Sequence, residues 1–480
     1  MAYRNFIDGD WVDSDSGRTF AVLNPADNAL VGEVPDCGAS EASRAIKAAA
    51  AARLGFQQLE RSDRTHLLRE LSEQMHVRRL ELSDLLTAEQ GKPRAESEGE
   101  IAYARSYLDG AAREADQLPL EQPLDPAETG KNVIVRPTSM GVVGIITPWN
   151  FPLAMLAKKI GPAFAQGCPV VVKPAEDTPL TTLLLARLCE EVGIPRGVFN
   201  VVTGDPSLIG AEFMSNRDVR MVSFTGSTAT GRILIDGASR NFTRLLLELG
   251  GHAPFIVTED ADLDDAVSGL IASKFRNNGQ TCVCPNRILV PEAFEKRFVA
   301  LLEAGMRQLV CGRGDRAGVD LGPLINDRAI ESVEAQVEDA LSRGATRVLG
   351  GHRLKFEGLA DRFYAPTLLT GCTSQMDCFK TETFGPVCPV RSYRSIDEAV
   401  EIANELPCGL AGYVWCGDTE RGLSLAQRLE CGIVGINDAA PVTASTPFGG
   451  VRESGWGQEG GEVVLHEYAP TRTYSIGGSL

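Results

Sequence analysis

Histidine is scarce in this chain of 480 residues. His66, His76, His252, His352 and His466 stand apart from one another, with no HExxH and no second histidine at ligand spacing. The pattern argues against a metal centre and against a Ser-His-Asp triad. Positive charge is also short, 47 Lys and Arg against 64 Asp and Glu for a net charge of −17. Such a balance disfavours nucleic acid or an anionic membrane as partner, and an anionic small molecule would need a local cationic anchor. No apolar run reaches the ~20 residues that span a bilayer. The start, MAYRNFIDGDW, carries neither an apolar signal core nor an Arg-rich transit pattern, so a soluble cytoplasmic protein is expected. Repeats and low-complexity tracts are absent. Cysteine, by contrast, is plentiful. The 12 cysteines follow no repeating frame in a long chain, which points to reduced thiols rather than a disulfide scaffold.

A hydrophobic content of 43% over this length supports two or three domains. Ser40 to Ala115 is helical in pattern, Ala-rich then Leu-rich. From Gly141 the pattern changes to short β-branched runs: GVVGIIT, PVVVKP (Pro169 to Pro174), VFNVV (Val198 to Val202) and VRMVSFTG (Val219 to Gly226), separated by helical stretches such as Thr181 to Val192. Continuous apolar strands alternating with helices predict an α/β fold with a parallel sheet covered on both faces. A second alternation follows Gly251, with strands at Phe255 to Val257, Arg287 to Val290, Pro389 to Tyr393, Gly412 to Trp415 and Gly432 to Asn437, and a helix over Ile330 to Arg343. Lys131 to Arg136 and His466 to Ser475 read as strands, suited either to pairing between subunits or to a small local sheet.

Two segments carry the chemistry. FRNNGQTCVCPN, Phe275 to Asn286, sets Cys282 after a polar, glycine-containing stretch that would expose a nucleophilic thiol. LELGG, Leu247 to Gly251, holds Glu248 between leucines, where an apolar wall raises a carboxyl toward the pKa of a general base. Together they suggest covalent catalysis on a carbonyl. Cys282 and Cys284 form the one close cysteine pair, but CxC without a second ligand pair is a poor zinc site. The strand ending at Thr225 runs into GSTATG, Gly226 to Gly231, and free amides at a helix start favour a phosphate. This segment is neither a P-loop nor GxGxxG. KPAE, Lys173 to Glu176, follows a buried strand, where ligands gather in open α/β sheets. There Lys173 and Glu176 suit ribose hydroxyls. Glu176 would repel a 2′-phosphate, favouring NAD while leaving NADP open. The alternative is a Lys and a Glu that merely cap the helix after Pro179.

Taken together, PWNFP (Pro148 to Pro152), KPAE, FTGS (Phe224 to Ser227), LELGG, GQTC (Gly279 to Cys282), ETFGPV (Glu382 to Val387) and PFGG (Pro447 to Gly450) resemble the aldehyde dehydrogenase superfamily over essentially the whole chain. GQTCVC, KFRN, KPAEDTP and GLAGY look most like its succinate-semialdehyde dehydrogenase branch. The resemblance implies a Rossmann-like NAD-binding domain (1–118 and 141–250), an α/β catalytic domain (251–458) and a small β arm (119–140 and 459–480) that joins subunits into a homodimer or homotetramer. It also implies roles. Cys282 adds to the aldehyde, Asn150 with the Cys282 amide stabilises the oxyanion, and Glu248 activates water against the thioester. Thr147, Pro148, Trp149, Lys173, Glu176, Gly226, Ser227, Glu382 and Phe384 fall on the cofactor side.

Relatives in that branch resemble one another in holding the distal carboxylate with two arginines and a serine. Here Arg276 is present, Lys158 stands where the other arginine is expected, and Thr443 is the substitute for the serine. Arg to Lys keeps charge but loses bidentate geometry. The expected substrate is therefore a small anionic aldehyde, succinate semialdehyde first, with glutarate semialdehyde, 2-oxoglutarate semialdehyde or sulfolactaldehyde as alternatives. Lys158 and Arg276 solvated, or paired with acids elsewhere, is the competing arrangement. Cys284 is a candidate redox partner for Cys282, as in relatives with CVC, or a small packing residue. A CoA-acylating dehydrogenase and an inactive structural member are the other classes; Glu248 argues against the first, and Cys282, Glu248 and Asn150 together argue against the second.

Overall fold

A computed structural model describes residues 3–477; the outermost residues of the expected first domain and arm, 1–2 and 478–480, lie outside the described residues. The β-branched runs form an eight-stranded sheet in the order Asp10–Val12, Asn5–Ile7, Phe199–Val201, Val170–Lys173, Val142–Ile146, Val219–Thr225, Arg244–Glu248, Gly455–Trp456. The five strands from Phe199–Val201 to Arg244–Glu248 in that order are parallel, and the central ones are buried on both faces, which is why they read as unbroken apolar stretches. The second alternation forms a seven-stranded sheet, Thr346–Leu349, Thr367–Thr370, Val387–Tyr393, Pro285–Pro291, Ala253–Val257, Ala411–Trp415, Ile433–Ile436, parallel except at its first pair. Four helices, Ala39–Gln58, Arg61–Val77, Arg79–Gln90 and Arg94–Gln117, fill the early helical region. Among the described residues no helix is long and apolar enough to cross a membrane.

The carboxy-terminal region departs from the expected strand over His466 to Ser475. Val463–Tyr468 is a helix, because Val464, Leu465 and Tyr468 bury one face in the first core; the strand is confined to Thr471–Ile476. That strand pairs antiparallel with Asn132–Pro137, which pairs with Gln122–Leu124 to complete a three-stranded sheet. The chain also returns to the first sheet before that strand. Gly455–Trp456 pairs with Leu247 and Glu248.

Parallel strands place their carboxyl ends on one side, where ligands collect. Pro148 to Phe151, Lys173, Thr225 to Ser227 and Glu248 all follow such ends. The turn carrying Cys282 is brought against them from the second body. Gly251 makes this approach possible, since a Cβ there would sit 2.5 Å from the Cys282 carbonyl oxygen.

Candidate active site

Cys282 occupies a turn between the helix Leu263–Lys274 and the strand Pro285–Pro291. The chain reaches it through Arg276–Gly279, where Asn277 (φ 49°), Asn278 (φ 58°) and Gly279 (φ 74°) are successively left-handed. Asparagine tolerates that region better than most residues. The turn is also held from outside: the Asn277 amide donates to Glu96 Oε2 (2.7 Å), Asn278 Nδ2 to the Gly322 carbonyl (2.9 Å), and the Ile325 amide to Gln280 Oε1 (3.0 Å).

The thiol lines a cavity of about 270 Å³ with Pro148, Trp149, Asn150, Gly226, Ser227, Arg276, Glu382 and Phe384 among its walls. These predicted residues are thus brought together. Trp149 and Phe384 meet edge to face with centroids 5.4 Å apart. Asn150 Nδ2 donates to the Gln280 carbonyl (2.9 Å), which ties the asparagine to the cysteine turn. Gly226 and Ser227 stand at the start of the helix Thr228–Ala238, whose Thr230 amide donates to Ser227 Oγ at 3.2 Å. Glu382 Oε1 accepts the Gly251 amide (3.2 Å), and burial pushes this carboxyl up to about 8.

Glu248 lies just behind the wall, buried at the end of its strand, with Leu249 and Gly250 lining the cavity. Among the described residues neither carboxylate oxygen has a hydrogen-bond partner. Burial therefore raises its pKa well above the usual carboxyl value, against the pull of Lys158 and Lys159 and with the push of Glu459. The Cys282 thiol is also pushed up, to about 12, chiefly by burial. The thiol is nonetheless partly exposed, as its polar, glycine-containing approach suggested, and it opens onto the cavity.

The expected anion pocket divides. Arg276 lines the cavity, with its guanidinium carbon 4.9 Å from the Phe151 ring centre and 5.8 Å from that of Tyr103. Among the described residues no acid lies within ion-pair distance of it. Lys158 does not reach the cavity. It is buried behind Phe448, its Nζ 3.2 Å from that ring's centre and 3.3 Å from Glu459 Oε2. Glu459 also takes Lys159 Nζ at 2.5 Å. The physical reason is charge compensation: a buried ammonium without a carboxylate is costly, and Glu459 supplies one inside the fold. Thr443 is exposed and hydrogen-bonded to Thr446, while its neighbours Pro441 and Val442 face the cavity.

Other predicted residues sit nearby but off the cavity wall. Lys173 is buried and paired with Glu176 at the end of its strand, and the Thr147 amide donates to the Lys173 carbonyl (3.2 Å). The Thr147 hydroxyl is buried without a partner. Cys284 is fully buried and faces Lys274, whose Nζ donates to its sulfur at 3.3 Å; Cys282 and Cys284 are both free thiols. Among the described residues there is no cluster of His, Cys, Asp and Glu able to hold a metal.

Sequence reasoning missed Glu459, Lys159, Phe448, Lys92, Glu96 and Glu100. For Lys159 and Glu459 the signal was charge in apolar company: two adjacent lysines inside the nearly all-apolar helix Pro152–Ala165 demand a buried acid from elsewhere.

Residues 11–474 match the model of the aldehyde dehydrogenase family. The chain is 44% identical over 478 residues to glutarate-semialdehyde dehydrogenase of Pseudomonas aeruginosa, covering 98% of this chain and 97% of that protein. It is 44% identical over 473 residues to 3-sulfolactaldehyde dehydrogenase of Pseudomonas putida, covering 98% and 96%. The crystal structure of succinate-semialdehyde dehydrogenase from Burkholderia pseudomallei superposes with a TM-score of 0.96 at 45% identity, covering 99% and 98%.

Proposed function

Because the chain belongs to the aldehyde dehydrogenase family and is an NAD(P)-dependent oxidoreductase of aldehydes, we propose that it oxidises a small anionic semialdehyde to the corresponding acid. Succinate semialdehyde is the first candidate; glutarate semialdehyde and sulfolactaldehyde follow, on the strength of relatives so named. One observation carries the anionic class: Arg276, without an acidic partner, opens onto the same cavity as the Cys282 thiol. A guanidinium left free at such a wall suits a carboxylate or sulfonate carried at the far end of the aldehyde.

In this reading Cys282, once its thiol proton has passed to solvent, adds through Sγ to the aldehyde carbon, and Asn150 Nδ2 with the Cys282 amide receives the oxyanion, each donor supplying ~3 kcal/mol. A bound nicotinamide supplies the hydride acceptor. Glu248, desolvated and free of partners, then takes a proton from the water that attacks the thioester. Gly226 and Ser227 suit the pyrophosphate, because the first amides of a helix lack partners within it. Lys173 and Glu176 suit the adenosine ribose, Glu382 and Phe384 the nicotinamide end, and Thr147 to Trp149 the floor between them. Glu176 favours NAD over NADP by repelling a 2′-phosphate.

We also read residues 1–118 with 141–250 as the cofactor domain, 251–458 as the catalytic domain, and 119–140 with 459–480 as the arm of a cytoplasmic homodimer or homotetramer. The exposed edge of the Gln122–Leu124, Asn132–Pro137 and Thr471–Ile476 sheet supports the assembly, since an open strand edge invites pairing.

The test is kcat/KM for NADH and NADPH formation with succinate semialdehyde, glutarate semialdehyde, sulfolactaldehyde and a neutral aldehyde of equal length, with and without CoA. A preference for one anion without CoA is expected. An equally good neutral aldehyde removes the anionic class, and a requirement for CoA removes hydrolysis.

A further inference from the structure

The side chains that hold Asn150 in place come from a region the chemistry does not use. Lys92 is fully buried just before the helix Arg94–Gln117, and its ammonium lies 4.0 Å from the centre of the Phe151 ring. Its Nζ donates to the Asn150 backbone carbonyl (2.6 Å) and to Glu100 Oε2 (2.6 Å). The other oxygen of Glu100 accepts the amides of Leu153 (2.9 Å) and Ala154 (3.1 Å), which open the helix after Asn150. That helix start has no side-chain cap of its own, so Glu100 performs the capping from a distance.

A third member of the same segment reaches the other half of the site. Glu96 Oε2 accepts the Asn277 amide at 2.7 Å, and Asn277 Nδ2 donates to the Asn150 carbonyl at 3.0 Å. Lys92, Glu96 and Glu100 recur every four residues. The last two therefore share one face of their helix, directed at the junction between the Asn150 loop and the Cys282 turn. The Asn150 carbonyl thus accepts from both sides of this junction, while its side-chain amide donates to Gln280 O, two residues before the thiol.

The geometry points to Lys92, with Glu96 and Glu100, as positioning residues that fix the distance between Asn150 and Cys282. The inference rests on the proposed role of Asn150 in receiving the oxyanion. Because the donors must be aimed before the reaction begins, loosening the Asn150 peptide slows the oxidation of the aldehyde and leaves cofactor binding alone.

The test is the single-turnover rate of NADH formation, read beside the dissociation constant for NAD, in Lys92→Met, Asn150→Ala and the double variant. Lys92→Met is expected to slow the single turnover by about a hundredfold, with NAD affinity unchanged within twofold. It should add nothing in the Asn150→Ala background, since both changes remove one function. An unchanged rate in Lys92→Met, or the same loss in both backgrounds, overturns the positioning role. An unchanged rate in Asn150→Ala instead overturns the oxyanion role itself. If Lys92→Met does not fold, Glu96→Ala and Glu96→Gln carry the test. Glu96→Ala should slow the single turnover and Glu96→Gln, which retains an acceptor oxygen for Asn277, should restore it; an unchanged rate in Glu96→Ala overturns the proposal.

Discussion

Arg276→Met removes the one cation that lines the cavity among the described residues. The guanidinium has no acidic partner, so its removal leaves no buried carboxylate orphaned. What is lost in the free protein is contact with the Phe151 and Tyr103 rings, worth ~0.5–1 kcal/mol at an exposed site. In a chain of this size that moves Tm by about 2 °C or less. In the complex the loss is larger: hydrogen bonds to a charged group contribute ~1.5–3 kcal/mol. At 1.4 kcal/mol per decade this is roughly a 10- to 150-fold fall in kcat/KM for anionic aldehydes. A neutral aldehyde of equal length should lose less than about threefold, because the aldehyde end meets Cys282 and Asn150 unchanged. The assay is NADH formation at matched pH and low ionic strength, with Tm measured in parallel. An equal fall for neutral and anionic aldehydes, or none for either, would refute the argument that this guanidinium reads the distal charge.

Lys158→Met is expected to leave discrimination between anionic and neutral aldehydes intact and to lower stability instead. The loss should fall below the ~3–5 kcal/mol of an orphaned buried charge, because Lys159 remains on Glu459; denaturant unfolding checks it. In Glu248→Gln the first turnover of NADH should persist while steady-state turnover drops by ~10²–10⁴, since the group acts after hydride transfer; loss of the first turnover itself refutes that order. Burial raises both Glu248 and Cys282, and each works in its deprotonated form, so kcat should climb with pH through neutrality; a rate that declines from pH 7 to 9 contradicts this sign. Cys284→Ala should leave the peroxide sensitivity of the enzyme unchanged, as Cys284 is packed against Lys274 away from the cavity; protection by the substitution would restore it as the partner of Cys282.

What could be read from sequence was whatever depends on neighbours along the chain. The strands Val142–Ile146, Val170–Lys173 and Val219–Thr225 are continuous apolar runs because both faces are covered, and the segments that follow the first and the last of them line the cavity. The expected strand over His466 to Ser475 takes in the end of the helix Val463–Tyr468, since the period of so short a segment is ambiguous. Lys158 shows a different limit. Its charge suggested an anion contact, but the side chain's destination depends on Glu459, three hundred residues away in sequence. Nothing along the chain marks Lys92, Glu96 and Glu100, because it is the packing of the helix Arg94–Gln117 against Pro152–Ala165 that buries Lys92 and Glu100 and brings Glu96 to Asn277.

The pairing of Gly455–Trp456 with the Glu248 strand, and of Thr471–Ile476 with Asn132–Pro137, has a kinetic meaning. Both ladders close loops spanning much of the chain, and such contacts are the slow ones, since closure entropy is lost before they form. During synthesis the inner strands of the first sheet can assemble early, but Lys158 and Lys159 wait for Glu459 until nearly the whole chain has emerged. Until then two lysines face an apolar core without their acid. A chain truncated before Glu459 would therefore hold a partly formed sheet around uncompensated charge, a species more prone to aggregate than to act.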